Sequence, residues 1–527
     1  LLDRLFGDDE LGHYARPRAV VRRIYWAISR PFLRGQTLLD VIVVIASDPN
    51  HADELRDKDM LVIEGKPTDD ITLRKAGVER AHALMVMLGS DSEALLTVLT
   101  ARSYNAKLYI TAANVEEELT DKMMRVGANA VITPFDVAGQ FLNNATLRPA
   151  VSDFFNSIMF SQIVGYETTQ LYLYPGSTWI GSRIGKLNLR ERFSAGIIGL
   201  RHVDNSYMYA PNDDYPLHAD EVLIAVAPAH FIEALNDASL EGVPPHRAVV
   251  EWSHPHTRNV FEYTPKHTYS ILEADSVIQK MSQHYVICGT DRVARNAINK
   301  LNPERPFVII SDDNQFTSEQ IKRGFRVIHG NPTHEEVLRR AGVDRALAIM
   351  VSIDDKADTV LTVLTCRSLS DRLLITATAS SDDMVRKLHR AGADRVASPF
   401  HIAAQFVLLA TTRPAVSDYF QYVLFNYHAE LETTELYMQT DSPWIGESIE
   451  SLQLERLFRA GVIGVRLADG TYRYAPPGDH VLQPHEVMIV VTPMVYSDEL
   501  REAAHGGITK RPTTLRKLSV SSGTSPL

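Results

Sequence analysis

The stretch "HYVICGTDRVARNAINKL" (284–301) contains a strand, a turn and a helix in one run. A short apolar segment ends at Gly289, and the residues after it place apolar side chains at helical spacing. The same order recurs at "FVIIS" (307–311), "LAIMVSI" (347–353) and "LLITATA" (373–379), each followed by a helical pattern. Strands that are apolar throughout and alternate with helices are typical of a parallel sheet covered on both faces. We therefore predict an α/β, doubly wound, Rossmann-like unit.

Beyond about residue 425 the pattern changes. The segments "TELYMQ", "GVIGVRL", "TYRYAP" and "EVMIVVTP" are strand-like and are separated by turn residues. They predict a small, mostly-β C-terminal lobe behind the α/β unit.

The chain carries this arrangement twice. "ATLRPAVSDFF" (145–155) matches "ATTRPAVSDYF" (410–420) at nine of eleven positions, and Arg148 and Arg413 lie 413 − 148 = 265 positions apart. The same offset relates "LTVLTARS" to "LTVLTCRS", and "EGKPT" to "HGNPT". A period this long is no solenoid repeat. We predict two tandem Rossmann-like doubly wound modules, each with its own small lobe.

Composition narrows the class of protein. The formal net charge of −11 over 527 residues argues against a nucleic-acid partner, which needs a basic face. The only cysteines are Cys288 and Cys366, which fits a reducing, cytoplasmic setting. No apolar run approaches 18 residues, so we expect no transmembrane helix in this sequence.

The first module lacks the beginning seen in the second. Gly289 corresponds to Ile24 (289 − 265 = 24), and the surrounding "RPRAVVRRIYWAISRPFLRG" has no glycine turn and no clear first strand. Six arginines between Arg16 and Arg34 alternate with Tyr25, Trp26 and Phe32, a combination that suits a membrane surface. The alternative is a surface helix that packs its tryptophan into its own domain.

Both modules resemble one family. "HGNPTHEEVLRRAGVDRALAIMVS" with "ADRVASPFHIAAQF", and "EGKPTDDITLRKAGVERAHALMVM" in the first module, are similar to the RCK domain (regulator of potassium conductance). The resemblance covers about residues 40–230 and 284–500. It implies a Rossmann-like lobe, a helical dimerisation arm after the "SPF" strand, and a small C-terminal lobe. Two modules in one chain resemble the tandem RCK domains of prokaryotic ligand-gated potassium channels.

The resemblance also sets the expected function. In such channels four chains supply eight RCK domains below a tetrameric pore, so we expect a homotetrameric gating ring at the cytoplasmic face of the cell membrane. It would convert nucleotide or ion binding into pore opening or closing, with the pore absent from this chain or supplied by another. The alternative is a peripheral regulatory subunit of a Trk/Ktr-type potassium uptake system. A nucleotide-dependent oxidoreductase is less favoured, because no acid/base constellation has convincing spacing; we expect no enzyme.

The expected domain organisation follows from these patterns. It comprises a basic, aromatic N-terminal segment that is a candidate juxtamembrane segment (1–36), the first Rossmann-like lobe with its dimerisation helix (37–160), the first small lobe (161–235), a linker (236–283), the second Rossmann-like lobe with its dimerisation helix (284–425), the second small lobe (426–505) and a disordered tail (506–527).

The strongest chemical signal is "CGTDRVAR" (288–295), followed by acids after the next strand. A glycine turn and a helix N-terminus can bind a pyrophosphate, and a later acid can bind ribose hydroxyls. The match is imperfect because Asp291 replaces the second glycine and would repel phosphate, a charge that Arg292 could offset. The predicted site for NAD or another adenine nucleotide comprises Gly289, Asp291, Arg292, Ala294, Asp312, Asp313, Gly330, Asn331 and Thr333. The alternative is a ligand-free domain that keeps the turn for packing.

Metal sites are less well supported. The resemblance implies calcium-binding acids at the end of the fourth strand and along the fifth, but Ser352, Thr378 and Ser380 stand there, and the first module also lacks acids at these positions. Asp354, Asp355 and Asp358 fit solvated helix starts better than a cation site. The linker histidines at 246, 254, 256 and 267 lack zinc-ligand spacing. We therefore name no metal ligands.

Assembly is predicted from excess apolar surface. The helices expected at 134–147 and 399–412 carry apolar stripes, and apolar stretches follow each of them. We expect the two modules to pair through these segments, and four chains to close a ring. Arg148 and Arg413 are expected to pair with Asp153 or Asp418.

Overall fold

The computed structural model describes residues 26–29 (backbone only), 42–58, 60–159, 165–243, 271–301, 306–425 and 431–505. The remainder of the basic N-terminal segment, the four linker histidines and the tail lie outside the described residues. We call residues 26–243 the first copy and residues 271–505 the second copy.

The elements of the first copy follow in chain order. They are β1 (Trp26–Ser29), β2 (Ile42–Ala46), α1 (Pro49–Asp57), β3 (Leu61–Glu64), α2 (Asp70–Lys75), β4 (Ala83–Met87), α3 (Asp91–Tyr104), β5 (Tyr109–Ala113), α4 (Thr120–Arg125), β6 (Ala130–Ile132), α5 (Pro134–Leu147), α6 (Pro149–Met159), β7 (Tyr166–Tyr172), α7 (Leu189–Phe193), β8 (Gly196–Arg201), β9 (Tyr207–Tyr209), β10 (Val222–Pro228) and α8 (Ile232–Ser239).

The second copy repeats this order and adds two helices near its start among the described residues. Its elements are α9 (Ile271–Ile278), which lies within the predicted linker, β11 (Tyr285–Cys288), α10 (Arg292–Asn299), β12 (Phe307–Ser311), α11 (Asn314–Lys322), β13 (Arg326–His329), α12 (Glu335–Arg340), β14 (Ala348–Val351), α13 (Lys356–Leu369), β15 (Leu374–Thr378), α14 (Asp382–Ala391), β16 (Arg395–Ala397), α15 (Pro399–Thr412), α16 (Pro414–Phe425), β17 (Leu431–Tyr437), α17 (Leu454–Phe458), β18 (Gly461–Arg466), β19 (Tyr472–Tyr474), β20 (Val487–Pro493) and α18 (Met494–Ala504).

Each copy contains one six-stranded sheet. The second sheet has the order β13-β12-β11-β14-β15-β16 and all its strand pairs are parallel. Its central strands are buried, as their uninterrupted apolar sequences require. The order reverses between β11 and β14, which is the doubly wound arrangement predicted from the sequence. The predicted fold class is confirmed.

The first sheet differs in one strand. Its order is β3-β2-β1-β4-β5-β6, so β1 fills the slot that β11 fills in the second sheet. However, β1 runs antiparallel to both neighbours, with Trp26 opposite Ile45 and Val86. The expectation that the first copy has no clear first strand is therefore wrong, and so is the surface helix considered for Trp26. The central slot leaves unpaired backbone groups on β2 and β4, and an extended segment of either direction satisfies them.

Each small lobe is a four-stranded antiparallel sheet. The orders are β7-β10-β8-β9 and β17-β20-β18-β19. Matching β-bulges interrupt the β10–β8 and β20–β18 pairings, at Ile224/Ala225 and at Val462/Gly464. The two lobes therefore share their irregularities as well as their topology.

The two copies exchange their helical arms. Helix α5 of the first copy packs on β14, β15 and β16 of the second sheet, and α15 packs on β4, β5 and β6 of the first. Thr146 Oγ1 lies 2.7 Å from Thr376 Oγ1, and Thr111 bonds to Thr411, which is the same contact displaced by 265 positions. The expectation that the copies pair through these segments is confirmed within a single chain.

The next helices also cross over. Helix α6 packs on β17, β18 and β20, and α16 packs on β7 and β10. The ring of Phe154 fills the space beside Gly464, and the ring of Tyr419 fills the space beside Gly199, where a Cβ atom would overlap it. The repeated "RPAVSD" strings therefore encode two crossing turns.

The expected partners of the turn arginines are wrong. Arg148 pairs with Glu432, and Arg413 Nη2 pairs with Glu167 Oε2 at 2.8 Å. Asp153 instead pairs with Arg395, with Nη2 to Oδ2 at 2.7 Å. Because the helices cross to the other copy, their charged partners lie more than 200 positions away in sequence.

Candidate functional site

The glycine turn of the second copy lies at the carboxyl edge of its sheet. Gly289 has φ +119°, and a Cβ atom there would overlap the carbonyl oxygen of Ser352. The Gly289 N–H donates to the carbonyl of Ile310 at 3.2 Å. Only glycine allows the turn to approach the end of β14 this closely.

Asp291 occupies the N-terminus of α10. Its Oδ1 accepts from the Ala294 N–H at 2.7 Å, and both carboxylate oxygens accept from Ser352 Oγ, at 2.9 and 2.8 Å. Ser352 Oγ also lies 3.1 Å from Thr378 Oγ1. Burial raises the pKa of Asp291. The carboxylate thus takes backbone N–H bonding capacity that a phosphate would need at this helix end.

Arg292 points toward the first copy. Its Nη2 donates to Glu116 Oε1 at 2.7 Å and its Nη1 to the Val115 carbonyl at 3.3 Å. The guanidinium lies 5.4 Å from the ring centroid of Phe135. That ring packs edge-on against Phe400, its counterpart in the other copy, with centroids 5.6 Å apart. The predicted phosphate-binding arginine is therefore held between the two copies.

The two acids after β12 have different roles. Asp313 caps α11 by accepting from the Phe316 N–H at 3.0 Å, and it pairs with Arg295 Nη2 at 3.1 Å. The backbone hydrogen bond from Phe316 lowers the pKa of Asp313 most, and Arg295 lowers it further. Asp312 is exposed and forms no hydrogen bond or ion pair within the described part of the chain. Asp312 is thus the acid that a ligand can reach.

The loop after β13 completes this edge of the sheet. The Gly330 N–H donates to the Ser311 carbonyl at 3.0 Å. Asn331 Oδ1 accepts from the Thr333 N–H at 2.8 Å and from its hydroxyl at 2.7 Å. Helix α12 begins only at Glu335. Because β11, β12 and β13 are adjacent and parallel, their following loops meet at one edge, as predicted.

Two other acids near helix starts accept hydrogen bonds from backbone N–H groups, Asp355 as the cap of its own helix and Asp91 from a neighbouring loop. Asp355 accepts from the N–H groups of Ala357 and Asp358, at 2.8 and 3.0 Å. Asp91 accepts from the N–H groups of Val115 and Glu116, at 2.9 and 2.8 Å. Among the residues that the structure describes, no group of three or more His, Cys, Asp or Glu could hold a metal ion.

Sequence reasoning missed the first-copy side of this site. Val115, Glu116 and Phe135 lie about 155–180 positions before the turn, and only the exchange of arms brings them there. The match between Pro134-Phe135 and Pro399-Phe400 was visible in the sequence. It indicated a shared element without revealing which copy the element covers.

Comparison with known proteins agrees with this architecture. The TrkA-N domain family matches residues 32–134 and 285–399. The "Probable potassium channel protein 2" of Methanocaldococcus jannaschii is 28% identical over 219 residues, covering 40% of this chain and 64% of that protein. A "Trk system potassium uptake protein TrkA homolog" of Methanothermobacter thermautotrophicus is 25% identical over 157 residues, covering 29% of this chain and 68% of that protein.

A solved structure supports the fold over most of the chain. The human SLO3 gating ring superposes with a TM-score of 0.59 at 12% identity, covering 86% of this chain and 95% of that chain. The TrkA-N model matches the Rossmann-like lobe of each copy, in line with the RCK resemblance of the sequence. The chain is similar to potassium-channel proteins, and it spans 64% and 60% of the lengths of two of them. None of the described helices is both long and apolar enough to cross a membrane.

Proposed function

We propose that this chain forms the cytoplasmic gating ring of a potassium channel, in which ligand binding to the RCK domains opens or closes a pore. The observation that carries this proposal is the exchange of helical arms, which joins two TrkA-N domains into one unit with a shared hydrophobic core. A regulator needs such a unit, because a change at one domain must reach the other. Its role is regulatory and not enzymatic, and the names of its relatives support a potassium-transport setting.

A ring of four chains needs a surface other than the exchanged arms, since these are used within the chain. Two equivalent surfaces carry exposed leucines: Leu96 and Leu99 on α3, and Leu361 and Leu364 on α13. They are related by the offset of 265 and lie in the identical string "LTVLT". A chain with two like faces can place one against the opposite copy of the next chain, and repetition closes a ring. We propose these helices as the contact between chains in a homotetramer of eight RCK domains.

Light scattering on the purified chain tests the ring. We expect a tetramer for the wild type and smaller species for the double variant Leu96→Glu/Leu361→Glu. Val495→Glu is the matched control, because Val495 is also an exposed apolar residue but lies on α18, outside the two surfaces. A wild-type chain that remains a monomer at micromolar concentration would contradict the proposal.

The proposed ligand is NAD or another adenine nucleotide, bound by the second copy. Asp312 is the proposed ribose-binding group and Arg292 the proposed phosphate-binding group. The loop after β13, with Gly330, Asn331 and Thr333, lies beside them at the same edge of the sheet. The adjacency of their three loops and the exposure of Asp312 support this assignment. Calorimetry with NAD, NADH, ATP and ADP tests it, and Asp312→Ala should weaken binding. Calcium is the alternative ligand, although the usual carboxylates are absent.

The pore domain is the proposed partner, carried by another chain or by a further part of the same protein. The arginines between Arg16 and Arg34 are proposed to face an anionic membrane surface. Single-channel recording from the full-length gene product in lipid bilayers, with and without nucleotide, tests this function.

The runner-up is a peripheral subunit of a Trk-type uptake system, which the Methanothermobacter relative favours. A full-length gene product that is purified without detergent would support that alternative.

A further inference from the structure

Helix α10 belongs to the ligand site and to the contact between the copies at once. Its N-terminus follows the Gly289 turn, and its side packs on α5 of the first copy. A Cβ atom on Gly139 of α5 would lie 2.9 Å from the Ala297 nitrogen and 2.9 Å from the Val293 carbonyl oxygen. Asn143 Nδ2 also donates to the Ala297 carbonyl at 2.9 Å. The backbones of α5 and α10 are therefore in direct contact, and a shift of α10 must displace α5 as well.

Arg292 makes a second link at the other end of the same contact. It is the first residue of α10, and its guanidinium bonds to Glu116 and lies over Phe135. Both partners of the ion pair are about half exposed, so the pair is weak. A phosphate offers more charge and more acceptor oxygens than one carboxylate. A phosphate at the turn can therefore compete with Glu116 for this arginine.

The link runs in one direction only. The offset of 265 places Ser381 at the position of Glu116 and Ala404 at the position of Gly139. Ser381 carries no charge and caps α14. Ala404 has a Cβ atom, whereas Gly139 has none and so allows the two backbones to touch. The described part of the first copy has no helix between β1 and β2, so no counterpart of α10 and Arg292 is described there. Within the described residues, this link to the other copy is seen for the site of the second copy and not for the first.

We infer that Arg292 is the residue through which occupancy of the second-copy site changes the packing between the two copies. A ligand phosphate withdraws the guanidinium from Glu116 and Val115, and α10 carries the displacement to α5. The inference rests on the nucleotide site proposed above. By linkage, whatever weakens the contact between Arg292 and Glu116 must strengthen phosphate binding, and the reverse.

A double-mutant cycle with ADP as the probe tests this inference on the full chain. Calorimetry compares the wild type with Glu116→Gln, Arg292→Ala and the combined variant. We expect Glu116→Gln to bind ADP about two- to fivefold more tightly, as release of one exposed ion pair allows. Arg292→Ala should bind about tenfold more weakly. The combined variant should match Arg292→Ala alone, because Glu116 then has nothing to hold.

Glu64→Gln is the matched control, since it breaks a comparable exposed ion pair with Arg56 in the first copy, away from this contact. It should leave the ADP affinity unchanged. A second readout is Gly139→Ala, which should alter the ADP affinity although Gly139 lies on the first copy. Equal ADP affinities of the wild type and Glu116→Gln would overturn the inference, and so would additive effects in the cycle. Absence of ADP binding to every variant would also overturn it, while scattering and channel recording judge the ring separately.

Discussion

Arg148 and Arg413 hold the same position in the two crossing turns, yet they meet different surroundings. Arg148 pairs with Glu432, whose side chain is 2% exposed and also accepts from Arg501 Nη2 at 2.8 Å. Arg413 pairs with Glu167, whose side chain is 43% exposed. The first joint, residues 148–159 on the second small lobe, thus buries a charge cluster. The second joint, residues 413–425 on the first small lobe, leaves its ion pair in solvent.

The helix starts at the two joints also differ in charge. The Ala150 N–H donates to Glu435 Oε2 at 2.8 Å, whereas the Ala415 N–H donates to Gln170 Oε1 at 3.0 Å. Duplication has therefore kept the backbone geometry and changed the charge. Because the first joint has more charged contacts, we expect the second joint to open at lower cost when the copies move.

The largest expected effect concerns what the joints share. Phe154 and Tyr419 are fully buried and fill the spaces beside Gly464 and Gly199. Phe154→Ala and Tyr419→Ala should each lower the free energy of unfolding by about 3–5 kcal/mol, because each leaves a large cavity. Denaturant unfolding measures both.

The tyrosine hydroxyl provides a matched control for the cavity effect. Tyr419 Oη donates to the Ile198 carbonyl at 2.5 Å, so Tyr419→Phe should cost only about 1 kcal/mol. A loss below about 1 kcal/mol for either alanine variant would show that the aromatic side chain does not hold its joint closed.

The fold was predictable because its signals are local. Apolar strands such as "FVIIS", glycine turns and the constant offset identify two doubly wound units without any long-range information. The exchange of arms was not predictable in its partners. The apolar stripe of α5 shows that the helix is covered, but the same stripe fits either sheet. Strand β1 was missed because its pairing is set by the empty slot between β2 and β4 and not by its own pattern.

The candidate site divides in the same way. Gly289, Asp312 and the loop after β13 follow from the strand–turn–helix order, which brings consecutive loops to one edge. Glu116 and Phe135 come from the other copy, and no local spacing signals them. Asp291 was expected to repel phosphate, and its cap on α10 adds the physical reason that it stands there.

The second prediction tests the charged groups that differ between the two joints. Arg148→Ala removes one of the two arginines that pair with the buried Glu432, while Arg501 stays in contact, and should cost about 3 kcal/mol. Arg413→Ala removes a partner from the exposed Glu167 and should cost less than about 1 kcal/mol. Denaturant unfolding of the two variants gives the ratio, and adding Glu432→Gln to Arg148→Ala should recover part of the loss. Equal costs at the two joints would refute the difference in burial as its cause.

The smallest effect concerns Glu435 and its neutral counterpart Gln170. Burial raises the pKa of Glu435 above its ordinary value of 4.5, although bonds from the Tyr437 hydroxyl and two backbone N–H groups oppose this. The folded chain therefore binds this proton more tightly than the unfolded chain does. Its contribution to stability is fully present below about pH 4.5 and is lost as the pH rises through the folded pKa.

Glu435→Gln should remove this pH dependence, and Gln170→Glu should add a similar one at the second joint, each changing stability by less than about 1 kcal/mol. Unfolding free energies from pH 4 to pH 8, taken as differences from the wild type, isolate these groups from the rest of the chain. If the Glu435→Gln curve runs parallel to that of the wild type, the carboxylate does not distinguish the first joint from the second.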